Sequence, residues 1–200
     1  MPAGLPSTSF AVLGLLSFGD ELSGYDLKKW ADHSLRFFYW SPAIAHIYRE
    51  LKRLEAIGLV ESREVALDES RHKRLFRITD DGRETLAEWI ADTPAEQSIV
   101  KDQALLRVWM GHMVEPAQLR RLVAEQRVLD EQLLADLRRT IAGTSDERFE
   151  LSILVERFCE RLYEGRLQAL AELEAALDQA RISAGRAARN PGPRGAKPPK

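Results

Sequence analysis

Basic side chains form two clusters in the first half of the chain. They consist of His46, Arg49 and Arg53, and of His72, Lys73 and Arg74. The first three recur at steps of three and four residues, so they would share one face of an α-helix. Guanidinium, ammonium and imidazolium groups donate hydrogen bonds to phosphate oxygens and to base edges. Such clusters also occur on solvated faces and turns, so the elements that carry them must distinguish the two interpretations.

The first cluster lies opposite an apolar stripe on a predicted helix. The stripe recurs at helical spacing and consists of Ile44, Ile47, Tyr48, Leu51 and Leu54. We predict that the helix begins at Ser41 and Pro42, because serine is a good N-cap and proline fits the first helical position. Gly58 would end the helix. The stripe is interpreted as core, with Tyr48 half in the core and its hydroxyl able to reach a phosphate, which leaves the opposite face for contact with a partner.

The flanking segments predict a helix-turn-helix with a wing. Residues 8–18 are apolar on nearly every side, which indicates a short buried helix, and Ser23 with Asp26 forms a capping box for a second helix. Segments 59–67 and 73–78 read as strands around a polar tip, and Thr79 caps a fourth helix. This order is that of a winged helix-turn-helix. Its geometry favours nucleic-acid contact over simple solvation for both basic clusters.

The second half of the chain predicts long helices. Residues 115–142 and 146–181 carry leucine-rich helical patterns on either side of a Gly-Thr-Ser turn. In the second of these helices, apolar residues at alternating steps of four and three form a seam with the spacing at which two helices pack together. The seam residues assigned to a homodimer contact are Leu151, Val155, Phe158 and Leu162. The tail has five Lys and Arg among Gly, Pro and Ala, so we expect residues 183–200 to be disordered.

The predicted fold is therefore mainly α: a winged helix-turn-helix with a two-stranded wing, followed by a domain of long helices. We expect a winged-helix domain at 1–93, a helical dimerisation domain at 94–182 and a basic tail at 183–200.

Composition excludes several classes of function. The net charge is −2, and residues 1–93 hold 12 Lys and Arg against 15 Asp and Glu, so a protein that coats nucleic acid non-specifically is not expected. The longest apolar run, residues 10–18, is too short to span a bilayer, and neither a transmembrane helix nor a signal peptide is predicted. With one cysteine, Cys159, neither an internal disulfide nor a thiolate metal cage can form. We expect a cytoplasmic protein.

No catalytic or metal-binding pattern is found. The four histidines share no metal-ligand spacing. The sequence has no nucleophile elbow, no phosphate-binding glycine loop and no paired catalytic carboxylates. We therefore predict that the protein is not an enzyme and needs no cofactor.

Six short segments, in order and at matching spacing, resemble the PadR family of bacterial transcription regulators. They are FAVLGLL (10–16), SGYDL (23–27), WSP (40–42), IYRELKRLE (47–55), GLV (58–60) and ITDDG (78–82). The resemblance covers residues 7–92. Residues 101–109 and the two long helical patterns are similar to the C-terminal dimerisation domain of longer family members. The resemblance also implies that a flat aromatic effector could bind near Tyr39, Trp40 and Trp109.

From these observations we predict a dimeric, sequence-specific DNA-binding regulator, a repressor released by a small-molecule effector. The residues expected to face base edges are Ser41, Ala45, His46 and Arg49. The residues expected to contact phosphates are Tyr48, Lys52, Arg53, His72, Lys73 and Arg74. A palindromic duplex is expected, with half-sites about 34 to 36 Å apart, one turn of the double helix. The alternative is an adaptor that uses the winged helix for protein contacts without DNA.

Overall fold

The N-terminal elements form around three helices whose apolar faces converge. In the computed structural model, which describes residues 4–66 and 72–179, these helices are α1 (Ser7–Leu16), α2 (Gly24–His33) and α3 (Ile44–Ala56). Strands β1 (Val60–Ala66) and β2 (His72–Ile78) pair antiparallel, with Val60 opposite Ile78 and Ala66 opposite His72. Helix α4 (Asp80–Asp92) follows. The predicted winged helix-turn-helix with a two-stranded wing is confirmed. Of the predicted tip at 68–72, residues 68–71 lie outside the described residues and His72 begins β2.

Three further α-helices follow α4 in the described part of the chain. A short helix α5 (Gln103–Trp109) precedes the long helices α6 (Pro116–Gly143) and α7 (Glu150–Gln179). Three-residue 3₁₀ turns lie at Leu35–Phe37, Gly111–Met113 and Glu147–Phe149. The mainly helical class and the two long helices are confirmed. The predicted basic tail lies outside the described residues, and no helix of the described chain is long and apolar enough to cross a membrane.

The chain divides into two compact units. The first comprises the described parts of Met1–Gln97 together with Thr140–Cys159, and the second those of Ser98–Arg139 with Glu160–Lys200. The turn between α6 and α7 therefore packs with the N-terminal elements rather than with the rest of the helical region. The sequence-based division at residues 93 and 94 stays a prediction about which parts fold independently.

A single apolar cluster forms the core of the first unit. It combines α1, α2, α3, α4 and the wing, and Phe10 stacks on Trp89 with ring centroids 4.5 Å apart. Within α3 the fully buried residues are Ile47, Leu51 and Leu54. The predicted stripe was wrong at Ile44, which is 38% exposed, whereas Tyr48, predicted to be half core, is 48% exposed. Both lie at the edge of the buried arc, where the neighbouring elements no longer cover the helix.

Helix α3 also begins later than predicted. Its N-cap is Ala43, which supplies no side-chain cap. The hydroxyl of Ser41 is engaged elsewhere, because it donates a hydrogen bond to Asp32 and accepts one from Lys28 at 3.1 Å. The predicted capping role of Ser41 was therefore wrong: its side chain ties the approach to α3 to the preceding helix.

The second unit is an antiparallel packing of α6 and α7 with α5. Arg138 pairs with Glu160, Arg127 with Glu174 and Arg120 with Asp178, an order that only antiparallel helices allow. Its apolar cluster contains Leu119, Val123, Leu170 and Leu177. Arg166 bridges Asp102 and Asp130 at 2.5 Å each, with both carboxylates nearly buried. Asp102 also caps α5, so this bridge holds three helices together.

Gly82 in α4 provides a test of the packing between α4 and the wing. A Cβ at this position would overlap the backbone carbonyl oxygen of Leu59 and lie 2.8 Å from Ile78 Cγ1. Gly82→Ala should therefore lower the free energy of unfolding by about 1 to 3 kcal/mol, although alanine favours helix. As a control, Gly14→Ala in α1 meets no atom within 4 Å. It should raise stability by about 0.5 to 1 kcal/mol. Urea unfolding of both variants measures this, and an equally stable Gly82→Ala would contradict the proposed close approach.

Asp26 makes the stability of the first unit depend on pH. The carboxylate accepts hydrogen bonds from the backbone N–H and hydroxyl of Ser23 and pairs with Lys73 Nζ at 2.8 Å. Burial opposes ionisation, but the hydrogen bonds from Lys73 and Ser23 outweigh it, and the pKa of Asp26 falls to about 2.

Because folding lowers this pKa, the ionised carboxylate stabilises the fold above about pH 4, the usual range of an unfolded aspartate. That contribution should disappear as pH falls from about 4 to about 2. Urea unfolding of the wild type and Asp26→Asn across this range should show their stability difference changing with pH. Other carboxylates are common to both proteins and cancel. A pH-independent difference would show that Asp26 titrates normally.

Candidate nucleic-acid interface

Helix α3 presents a polar and basic face to solvent. Since Ile47, Leu51 and Leu54 are fully buried, the 3.6-residue period turns the intervening positions outward. The exposed residues of the helix interior are Ile44, Ala45, Tyr48, Arg49, Lys52 and Arg53. His46 is half-buried. The predicted contact residues of α3 thus lie together along one accessible face.

Among the described residues, Arg49 and Lys52 are the cations on this face without partners. Within the described chain neither side chain forms a hydrogen bond or ion pair. Arg53 differs, because it donates a hydrogen bond to the carbonyl oxygen of Gly4 at 3.1 Å. The donors of Arg49 and Lys52 therefore remain available to an external acceptor, and the planar Arg49 guanidinium can bind two acceptors at once.

The N-terminal end of α3 is fixed by polar contacts with α2. Ser41 joins Lys28 and Asp32, which pair at i and i+4 on α2. The hydrogen bonds from Lys28 and then from Ser41 lower the pKa of Asp32. Ser41 remains at the entrance to α3, as predicted for a base-facing residue, but its hydroxyl is already hydrogen-bonded within the protein.

Aromatic side chains surround this end of the helix. Trp40 packs edge-to-face against His46 with centroids 5.9 Å apart, and Tyr39 packs on Trp40 at 6.4 Å. Tyr48 lies over the start of α2, where a Cβ on Gly24 would fall 2.6 Å from the Tyr48 ring. A side chain at Gly24 would therefore displace the Tyr48 ring. Sequence reasoning singled out Tyr48 but did not assign this role to Gly24.

The wing cations are held by internal acids. Lys73 pairs with Asp26 on α2, and Arg74 reaches the carboxylate of Glu55 at 2.8 Å and the hydroxyl of Ser62 at 2.8 Å. Successive residues of a strand point to opposite faces, which explains why the two cations reach different helices. His72 is exposed beside the undescribed tip. Lys73 and Arg74 thus orient the wing, and any phosphate contact would have to share their donors.

Part of this arrangement had a signal in the sequence. Lys28 and Asp32 have the i, i+4 spacing of helical ion pairs, although their joint contact with Ser41 depends on the fold. Two of the residues suggested for an effector, Tyr39 and Trp40, lie beside His46 in the first unit. Trp109 belongs to the second unit and is 81% exposed, and the effector role of all three stays a prediction.

Helix α7 carries an exposed apolar face. The predicted seam residues Leu151, Val155, Phe158 and Leu162 are 77%, 39%, 65% and 57% exposed, and Leu154 beside them is 57% exposed. These five residues, the α7 face, lie on consecutive turns of one helix. Apolar side chains that stand in a contiguous row on a surface commonly mark a contact with another protein surface.

Comparison with known proteins gives the family. Residues 12–88 match the model of the transcriptional regulator PadR-like family. The negative transcriptional regulator PadR of Bacillus subtilis (strain 168) is 30% identical over 128 residues, which are 64% of this chain and 69% of that protein.

Solved structures agree in fold. Bacillus subtilis PadR in complex with operator DNA superposes with a TM-score of 0.75 at 24% identity, covering 86% of this chain and 100% of the other. The same protein in complex with p-coumaric acid gives a TM-score of 0.67 at 26% identity, covering 86% and 99%. The match to the sequence relative, 30% identical and covering 69% of that protein, shows that the chain belongs to the PadR-like family of transcriptional regulators, in agreement with the matched family model.

Proposed function

We propose that this regulator is a homodimeric repressor that reads a specific duplex DNA sequence with α3. The observation that carries the proposal is the exposed face of α3, where Arg49 and Lys52 form no hydrogen bond or ion pair with another described residue. On the opposite side Ile47, Leu51 and Leu54 are fully buried. An α-helix fits the major groove, and arginine there can bind guanine through two hydrogen bonds. The complex of Bacillus subtilis PadR with operator DNA supports this assignment.

Contacts divide by chemistry along α3. Ala45, His46 and Arg49 lie in the N-terminal half of α3, the part that reaches base edges in helix-turn-helix proteins. Lys52 and Arg53, farther along, would contact phosphates and set the position of the protein on the duplex. Because the partner is chromosomal DNA, we also propose a cytoplasmic location.

Release by a small molecule is the second part of the proposal. Bacillus subtilis PadR is named a negative regulator and has been solved in complex with p-coumaric acid. A ligand that favours one arrangement of the two reading helices would change DNA affinity, since both half-sites must be engaged at a fixed spacing. We infer repression and ligand release from these relatives.

Arg49→Ala tests the reading role of α3. It should weaken binding to the duplex upstream of the protein's own gene by about 1 to 3 kcal/mol, and weaken binding to a scrambled duplex much less. Lys52→Ala should weaken binding to both duplexes equally. It should also lower the slope of log affinity against log salt concentration by about one unit. Fluorescence anisotropy at several salt concentrations measures both effects.

Arg121→Ala serves as the control, because it removes an exposed cation from α6. It should leave DNA affinity close to that of the wild type. Equal losses on the two duplexes for Arg49→Ala would make Arg49 a phosphate contact. If the wild-type protein bound neither duplex at low salt, the adaptor alternative would be favoured.

The α7 face is the proposed dimer contact. Pairing two copies about a two-fold axis would cover the same apolar row on both. Phe158→Asp should convert the protein to a monomer, because the interface would bury an unpaired charge. Phe158→Leu keeps an apolar side chain and should remain dimeric. Light scattering at micromolar concentration distinguishes the two states, and a dimeric Phe158→Asp variant would place the interface elsewhere.

A further inference from the structure

A cavity of about 490 Å³ lies within the first unit, away from α3. Its walls come from the end of α1, from α2 and from residues 140–156, and all of its lining residues belong to that unit. The volume is within the usual range for small-molecule sites. None of the residues that the sequence suggested for an effector lines it.

Three aromatic rings form one wall of the cavity. Phe149 lies 4.9 Å from Phe18 and 5.4 Å from Trp30 between ring centroids, and Phe18 lies 6.0 Å from Trp30. The rings meet at tilted and edge-to-face angles. Such a wall offers a ligand both apolar area and ring faces with negative electrostatic potential.

Glu156 on α7 adds a carboxyl group to the otherwise aromatic part of the cavity lining. This residue lines the cavity and is only 4% exposed, and its Oε2 has no hydrogen-bond partner among the described residues. A buried carboxyl without a partner is costly, because it has lost its water and gained nothing in return. Burial raises the pKa of Glu156.

The other charged groups around the cavity do not satisfy Glu156. Lys29 and His33 line the cavity but are exposed, and neither bonds to Glu156 within the described chain. Asp146 is paired with Arg148 at 2.8 Å. Arg148 also donates to the carbonyl oxygen of Phe18 at 3.1 Å, so its donors are engaged by acceptors other than Glu156.

We propose that the cavity binds a small aromatic amine, with its ring against Trp30 and Phe149 and its ammonium group on Glu156. A cation would form a charge-assisted hydrogen bond with the unpaired carboxylate and a cation–π contact with the aromatic wall. A carboxylate ligand would instead be repelled by Glu156. This chemistry differs from that of p-coumaric acid, the acid in the Bacillus subtilis PadR complex.

The position of the cavity gives the ligand a route to α3, and here the inference rests on the proposed function. Trp30 lines the cavity, while Lys28 and Asp32 on the same helix hold Ser41 at the entrance to α3. A ligand seated on α2 would therefore bias the contacts that position the reading helix. Thermodynamic linkage requires the same coupling in the other direction, from DNA to ligand.

Calorimetry with two matched probes tests the inference on the full-length protein without DNA. Tyramine and 3-(4-hydroxyphenyl)propanoate share a phenol ring and a two-carbon linker, and differ in carrying an ammonium or a carboxylate group. The wild type should bind tyramine more tightly than the acid. Glu156→Gln should weaken tyramine binding by about tenfold or more, because it removes a charge-assisted hydrogen bond, and should narrow or reverse the preference.

Glu150→Gln is the matched control, because it removes an exposed carboxylate from the first turn of α7. It should leave tyramine affinity unchanged. Thermal unfolding of both variants verifies that they fold. If Glu156→Gln does not fold, the preference of the wild type for the amine over the acid still tests the inference. Tighter binding of the acid to the wild type, unchanged tyramine affinity in folded Glu156→Gln, or no binding of tyramine at millimolar concentration would overturn the inference.

The two proposals can fail separately. If the wild type binds its specific duplex but not tyramine, the DNA-reading function stands and the assignment of the cavity is wrong. If tyramine binds as expected but no duplex does, the cavity assignment stands and the reading role of α3 is wrong. Addition of tyramine to the protein–DNA complex then measures whether the two sites are coupled.

Discussion

The burial of one side of α3 determines the orientation of the whole reading surface. Ile47, Leu51 and Leu54 have no solvent exposure, so the helix cannot rotate about its axis without exposing them. A buried hydrogen bond adds a directional constraint, because the hydroxyl of Ser9 on α1 donates to Glu50 at 2.5 Å. Leaving the Glu50 carboxylate buried without this partner would be unfavourable. The outward position of Arg49 follows from these contacts on the opposite side.

Helix α2 connects the reading helix to the wing. Its N-terminal capping box holds Asp26, which pairs with Lys73 on β2, and its later residues Lys28 and Asp32 hold Ser41. Each of these surface ion pairs is weak by itself. They act together on elements already packed through the core, so their role is to fix position more than to supply stability. Several charges that could have contacted DNA are thereby used to orient α3 and the wing.

The long helices have two different apolar surfaces. One is covered within the second unit, where Leu119, Val123 and Leu170 pack together and Arg166 bridges Asp102 and Asp130. The other, the α7 face, stands exposed. The bridge of Arg166 fixes the register between α6 and α7, because a shift by one turn would separate its half-buried guanidinium from the nearly buried carboxylate of Asp130. The orientation of the α7 face is fixed by the same contact.

The sequence by itself determined the elements and the outward face of α3. Periodicity, the capping residues Ser23 and Thr79 and the family segments depend on neighbours a few positions apart, and these local patterns are visible in the chain. The tertiary structure alone decided the partner of Lys73, the engagement of Ser41 and the isolation of Glu156. Those outcomes depend on side chains far apart in sequence and on which of them lose water, and local patterning does not specify either. For this reason the reading helix could be predicted from the sequence, whereas the cavity could not.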